Sequence, residues 1–385
     1  MRPSMLEFLF WFFALGSVFS YFIYPLILKV LAQTRQHNVL PDSQEPANPL
    51  FLSLIVTAYN EEARIREKIE NTLMVRFDPT RLELIVASDC SDDKTDDIVR
   101  EYADRGVRLV RAAERLGKEN AQRTAIEEAR GDVIVFSDVA TQIPEDALEK
   151  LEAYFQDPQI GAVSSEDRFI SKDGSIAGEG AYVKYEMWLR QQESKLAGLV
   201  GLSGSFFAAR KAVCQVWDIH SPSDFNTALN TARLGLRAVT APDVLGYYQD
   251  LKDPQKEYQR KIRTVIRGMT ALSRHSEVLN PQRFGLFAFQ VFSHKLMRWL
   301  VPWCLIGLLI VSAVIAHESL FYSFALLVQL GFYGVALLAH FLPHLRETSW
   351  VKLIYFFVQV NVALLDAAIK FLAGERMTTW KPSAR

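Results

Sequence analysis

The chain has 385 residues, half of them hydrophobic and 23% charged, with a formal net charge of -1 at pH 7. That balance gives no electrostatic reason for a nucleic-acid partner, and three scattered cysteines (Cys90, Cys214, Cys304) make neither a metal-ligand nor a disulfide pattern. So much apolar residue leaves enough for membrane segments beside a folded domain.

Phe8 to Leu28 is uncharged for 21 residues, long enough to cross a hydrocarbon core as a helix. It is too long for a signal-peptide apolar region and has no small-residue cleavage site. Lys29 and Arg35 follow at once, so the positive-inside rule places the next segment in the cytosol. Residues 1–35 are therefore expected to be an amino-terminal transmembrane anchor, and 45–278 a cytosolic domain. Within that domain Leu50 to Thr57, Leu82 to Ser88, Val107 to Val110 and Val133 to Ser137 are short runs of Val, Ile and Leu. Charged, helix-periodic stretches separate them: Glu61 to Leu73, Lys94 to Ala103 and Lys118 to Ala129. The alternation predicts βαβ units, an α/β fold and a mostly parallel, Rossmann-like sheet, with ligands beyond the carboxyl ends of the strands.

Those strand ends carry Ala58-Tyr59-Asn60-Glu61-Glu62, Asp89-Cys90-Ser91-Asp92-Asp93-Lys94-Thr95, Arg115-Leu116-Gly117-Lys118 and Asp138-Val139-Ala140-Thr141. No GxGxxG follows the first strand, which argues against a dinucleotide fold. A nucleotidyltransferase would show a glycine-rich, basic loop there, and this loop is acidic. An acidic cluster of this kind suits a base reader and a divalent metal holding a pyrophosphate.

Four motifs in order carry a resemblance. Thr57-Ala58-Tyr59-Asn60-Glu61-Glu62, Ser88-Asp89-Cys90-Ser91-Asp92-Asp93-Lys94-Thr95 (usually S-D-G-S-T-D-x-T), Gly117-Lys118 followed by Ala121, and Gly131-Asp132 leading to Asp138 resemble the inverting glycosyltransferase family 2 with its GT-A domain. The likeness covers residues 50 to 275 and extends into the flanking membrane helices, resembling the membrane-anchored bacterial type related to exopolysaccharide, cellulose and hyaluronan synthases. It implies donor-nucleotide contacts at Thr57, Tyr59, Glu61, Asp89, Lys118, Ser137 and Asp138, with Arg260 and Arg263 as further cations. Chemistry agrees for several: Tyr59 offers a face to a uracil ring, Asp89 accepts its imide proton, and Asp138 is a hard ligand for Mg²⁺ or Mn²⁺. Gly201 to Arg210 resembles the acceptor loop, with Gly204 and Ser205 allowing close approach. Asp224, opening a helix that ends at Leu234-Gly235, aligns with the catalytic base.

The resemblance has gaps. Val139-Ala140 leave Asp138 alone where the family has D-x-D, and Ser223 replaces an acidic neighbour of the base. Gln249 stands where relatives usually carry Glu, and Arg260 and Thr264 stand in the places of Gln and Trp of the processive Q-x-x-R-W. The last departure argues for addition of one sugar, or very few, over a processive polysaccharide synthase. The missing second Asp keeps open a catalytically impaired membrane subunit serving binding or assembly.

Beyond the domain, 279–298 mixes aromatic and aliphatic residues with His294, Lys295 and Arg298, which predicts an interfacial amphipathic helix. Region 299–385 should hold two spans, Trp299 to Ala316 and Ser319 to Pro343, then an ambiguous apolar segment, Leu353 to Leu365, and a basic tail with Arg376, Lys381 and Arg385. A non-crossing last segment keeps that tail in the cytosol, as the charge rule prefers. The expectation is a multi-pass enzyme of the bacterial cytoplasmic (inner) membrane, working in cell-surface polysaccharide synthesis. It would take a UDP-sugar donor and a lipid-linked or glycan acceptor, alongside polysaccharide-assembly proteins.

Overall fold

The computed structural model describes residues 4–34, 48–170, 181–249 and 254–377. Arg35, Lys381 and Arg385, used above as topology cues, lie outside that range, as does the side chain of Gln249. The chain divides into two compact units: Met1–Ile27, Glu257–Ile266 and Val291–Glu375 form one, and Leu28–Lys256, Arg267–Gln290 and Arg376–Arg385 the other.

In chain order the elements begin with helices α1 (Met5–Val18) and α2 (Tyr24–Thr34), joined by a π-helical turn, Phe19–Ile23. Then come β1 (Leu52–Ala58), α3 (Ile65–Leu73), β2 (Leu82–Ser88), α4 (Thr95–Arg100), β3 (Val107–Arg111), α5 (Lys118–Glu128), β4 (Val133–Asp138) and α6 (Ala147–Tyr154). The chain continues through β5 (Ile160–Ile170), α7 (Ala181–Lys195), β6 (Phe206–Arg210), α8 (Lys211–Cys214), α9 (Ser223–Arg233), β7 (Arg237–Gln249) and α10 (Pro254–Arg274). The last helices are α11 (Pro281–Phe284), α12 (Leu286–Val291), α13 (Met297–Ile315), α14 (Leu320–Phe341) and α15 (Ser349–Leu372).

Among the described residues, the sheet unit holds seven strands in the order β3-β2-β1-β4-β6-β5-β7. β1 to β4 pair in parallel, β6 runs antiparallel to both β4 and β5, and β7 is parallel to β5. The fold is thus α/β with a mostly parallel sheet. β1 is buried at every position, as a central parallel strand covered on both faces must be. Its alternation sends Ile55, with Ile85, Ile134 and Phe136, against Ala121 and Ala125 of α5. Leu52 and Leu54 turn the other way, onto Leu148, Leu151 and Tyr154 of α6, while Val56 and Ala58 meet Ile65 and Ile69 of α3. Phe136 stacks between Phe207 (centroids 4.8 Å apart) and Trp217 (5.1 Å), so β4, β6 and the segment after α8 share one aromatic core. The indole N–H of Trp217 donates to the Glu119 carbonyl at 3.0 Å, tying that core to the first turn of α5.

The helical unit is held by close contacts between α1 and α13. A Cβ on Gly16 would lie 2.7 Å from Cys304 Sγ, and one on Gly307 would lie 2.7 Å from the Phe13 ring, so small residues set the helix spacing. Among the described residues, four helices are long and apolar enough to cross a membrane: Met5–Thr34, Leu286–Glu318, Leu320–Phe341 and Ser349–Leu372. Two differ from the sequence expectation. Residues 279–298 do not form one separate helix: the chain breaks at Gly285 (φ +52°), and from Leu286 it runs unbroken into α13. The segment Leu353 to Leu365 lies inside the 24-residue α15, because Ser349 to Lys352 and Asp366 to Leu372 extend its helical pattern at both ends. Within α15 the cation of Lys370 sits 3.0 Å from Asp366, which also accepts from Tyr258 at 3.4 Å.

Candidate active site

The loops after β1 and β2 form one side of the site. Asn60 and Cys90, the second residue beyond each strand, both have left-handed backbone (φ +51° and +58°). Cys90 occupies the place where the S-D-G-S pattern has glycine, the residue that takes this conformation without steric cost. The two loops are laced together. Asn60 Nδ2 donates to Asp92 at 2.5 Å, the Asp92 N–H returns a bond to Asn60 Oδ1 at 3.0 Å, and the Glu61 N–H donates to Thr95 at 2.8 Å. Glu61 itself pairs with Arg64 at 2.6 Å.

Asp89 is buried, and its Oδ1 accepts the Gly117 N–H at 3.0 Å. Gly117 has φ +109°, a backbone state that suits only glycine, and it opens α5. The other oxygen of Asp89 is buried with no hydrogen-bond partner. Burial pushes the Asp89 carboxyl above its ordinary range, with the Gly117 amide and Arg115 working against it. The Arg115 guanidinium lies over the Tyr59 ring, 3.8 Å from its centroid, so one face expected to be open for a base is covered.

The other side gathers around the end of β4. Asp138, its last residue, donates its N–H to the Ser205 carbonyl at 2.9 Å. Lys118 Nζ lies 2.5 Å from Asp138 Oδ1 and 3.1 Å from the Gly204 carbonyl, with its side chain 10% exposed. A Cβ on Gly204 would stand 3.3 Å from Asp224 Oδ2, so the loop before β6 lies closely against that carboxylate. Asp224 is at the second position of α9, its Oδ1 accepting the Phe225 N–H at 2.9 Å and its carbonyl accepting the Leu202 N–H at 3.3 Å. The fold therefore brings Lys118, Asp138, Gly204, Ser205 and Asp224 into one cluster from β4, α5, α9 and the loop before β6.

Thr57 pairs with Asp138 in the β1–β4 ladder, and its hydroxyl is buried without a partner. Ser137 accepts from Lys68 Nζ at 2.8 Å. Arg260 and Arg263 are on α10, within the part of that helix belonging to the helical unit.

Several residues of the site were not foreseen. The first is Asp167: Ser205 donates its hydroxyl to Asp167 Oδ1 at 2.6 Å, and Ser203 donates to both oxygens of the same carboxylate. Burial raises the Asp167 carboxyl above its usual range, against the pull of those two serines. The acidic pair Glu166-Asp167 inside the apolar run of β5 was the available signal. Lys68 is the second. Fully buried, it donates to Ser137 and to the Thr141 carbonyl (2.5 Å), and burial pushes its amine down to about 7, with Asp138 partly opposing. Arg267 is the third, paired with the buried Glu119 at 2.6 Å.

The sequence model of the family described as "Glycosyl transferase family 2" matches residues 53–217. A beta-monoglucosyldiacylglycerol synthase from Trichormus variabilis is 29% identical over 188 residues, 45% of this chain and 39% of that protein. A dolichyl-phosphate beta-glucosyltransferase from Trichomonas vaginalis is 32% identical over 109 residues, 26% of this chain and 33% of that protein. The chain thus spans well under half the length of these curated relatives. Among solved structures, a mannosyltransferase from Pyrobaculum calidifontis in complex with GDP-Man and Mn²⁺ aligns over 96% of this chain and all of its own, with a TM-score of 0.72 at 23% identity. At that identity the likeness is one of fold.

Proposed function

Starting from the glycosyl transferase family 2 domain that this chain carries over residues 53–217, we propose that the protein moves a sugar from a nucleotide-sugar donor to a lipid acceptor, with inversion at the anomeric carbon. One observation carries the reading: Asp224 and Lys118 meet opposite parts of the same residue, Gly204, the carboxylate within 3.3 Å of its Cβ position and the ammonium 3.1 Å from its carbonyl. A proton acceptor and a cation on either side of an open glycine are what a single displacement needs. Asp224 takes the proton from the acceptor hydroxyl, and that oxygen bonds to the anomeric carbon. The bond from that carbon to the diphosphate oxygen breaks, and its electron pair leaves with the nucleoside diphosphate, whose charge Lys118 meets.

The orphaned oxygen of Asp89 favours a uridine nucleotide, whose imide N–H would satisfy it. The acceptor is read as a lipid on two grounds: the lipid acceptors in the relatives' names, and four helices suited to a bilayer. We place the sheet unit in the cytosol, at the bacterial cytoplasmic membrane, on the charge following the first span. Addition of one sugar rests on Thr264 standing where a processive enzyme has tryptophan.

Mg²⁺ or Mn²⁺ at Asp138 does not fit this donor set. Ala140 offers no second carboxylate, and Asp138 Oδ1 is held by Lys118. The mechanism above therefore uses side chains alone.

The test is to incubate the full chain in detergent with a panel of UDP- and GDP-sugars, using diacylglycerol or polyprenyl phosphate as acceptor. Nucleotide release and product size are then measured. Release of UDP with a discrete one-sugar shift is expected. No release with any pair rejects transfer, and a ladder of long chains rejects single addition.

A further inference from the structure

We propose that this chain neutralises the leaving diphosphate with a built-in ammonium, Lys118, in place of a bound divalent cation. The inference rests on the glycosyl-transfer reading and concerns how its charge is balanced.

A Mg²⁺ ion wants about six oxygens at ~2.0–2.1 Å in near-octahedral order. Of the acidic groups beside Asp138, Asp224 is assigned to the acceptor's proton and Asp167 is already committed. Both oxygens of Asp167 are bonded by Ser203, and one also by Ser205. Glu166 sits 3.2 Å from Arg168. Glu119, next to Lys118 in sequence, is buried and held by Arg267, so it does not draw the ammonium away. Asp138 remains, with one oxygen occupied by Lys118.

Lys118 is built for the role. Its stem is buried, and Nζ is fixed by two acceptors, Asp138 Oδ1 at 2.5 Å and the Gly204 carbonyl at 3.1 Å. An ammonium has three N–H groups, so one stays available for a phosphate oxygen. It also opens the 11-residue α5, whose amino end adds positive potential at the same point. On the opposite side of β4, Lys68 binds Ser137 and the Thr141 carbonyl and so holds the residues flanking Asp138. Lys68 is a positioning residue, and Lys118 is the group that meets the substrate. In the transfer step Lys118 gives up no proton. It bonds the oxygen that receives the electron pair of the broken anomeric bond, while the acceptor's proton goes to Asp224.

Binding to the full chain in detergent tests this without turnover. UDP, UMP and GDP are titrated calorimetrically in excess EDTA and again in excess MgCl₂, and Mn²⁺ alone is titrated by electron paramagnetic resonance. UDP affinity should agree within threefold between EDTA and MgCl₂, with no stoichiometric Mn²⁺ site. Lys118→Met should weaken UDP at least tenfold and UMP less than threefold, and Lys118→Arg should recover part of the loss. A tenfold fall in UDP affinity in EDTA, or one tightly bound Mn²⁺ per chain, overturns the proposal and leaves the transferase reading intact. Binding of neither UDP nor GDP overturns both. The wild-type comparison stands even if Lys118→Met fails to fold.

Discussion

The two halves of the sheet unit solve different problems. β1 to β4 repeat one device, a buried parallel strand whose end feeds a short loop into a helix, and each loop carries one polar cluster. β5 to β7 do not repeat. β6 reverses direction, β5 and β7 are long, and the polar groups work through contacts between distant segments, as Ser203 and Ser205 do with Asp167. On the proposed reading the first half serves the nucleotide donor and the second shapes a space for the acceptor.

Asp224→Asn offers the sharpest test of that division. It removes the proposed proton acceptor, so transfer should fall by ~10²–10⁴ while UDP binding stays within threefold. Matched calorimetry and product assays check this, and transfer within tenfold of the parent would reject Asp224 as the base. Asp89→Ala is the mirror experiment on the donor side. UDP binding should weaken by about tenfold and GDP binding by clearly less, since only a pyrimidine imide donates to that carboxylate. Equal losses for both would dissolve the uridine preference.

Lys68 works within the first half, bonding Ser137 of β4 and the Thr141 carbonyl beyond it. Its folded pKa is lowered to about 7 from an ordinary 10.5. Between those values the unfolded chain carries a proton that the native chain lacks, so stability rises with pH from about 7 towards 10 and is lowest below 7. Lys68→Met should abolish this rise, on the order of a few kcal/mol across the window. Urea unfolding at pH 7 and pH 9.5 measures it, and an unchanged slope in the variant would assign the pH dependence elsewhere. Cys90→Gly is the smallest effect. Relieving a left-handed non-glycine residue should leave stability unchanged or raise it by up to ~1 kcal/mol, and a loss of that size would show that the Cys90 thiol, 3.1 Å from the Ala112 carbonyl, outweighs the strain.

Legibility in the sequence followed the same line. β2 falls on Leu82 to Ser88 as read from composition, and β4 starts at Val133 as read, because strands covered on both faces are rich in Val, Ile and Leu; the starts of β3 and α5 also fall where read. Lys118, Asp138, Gly204 and Asp224 were visible as motif positions, and the fold gathers them. What could not be read was any partner separated by a long stretch of chain. Nothing in the sequence near Lys68 announces Ser137, 69 residues on, and nothing near Ser203 announces Asp167. The Arg115 guanidinium over Tyr59 is another such pairing, between a loop after β1 and one after β3.

The reversed strand β6 has a mechanical meaning. Because it runs against β4, the end of one strand and the start of the other arrive at the same rim, where the Asp138 N–H meets the Ser205 carbonyl. The ladder from Val133↔Arg210 to Ser137↔Phe206 therefore acts as a caliper between Lys118, which we propose meets the leaving group, and Asp224, which we propose is the base. A slip of one residue would carry Gly204 by ~3.4 Å and turn the β6 side chains to the opposite face, taking Phe207 off Phe136. The jaw setting of this tool is cut in whole residues, and the stacked aromatic rings beneath it are the lock.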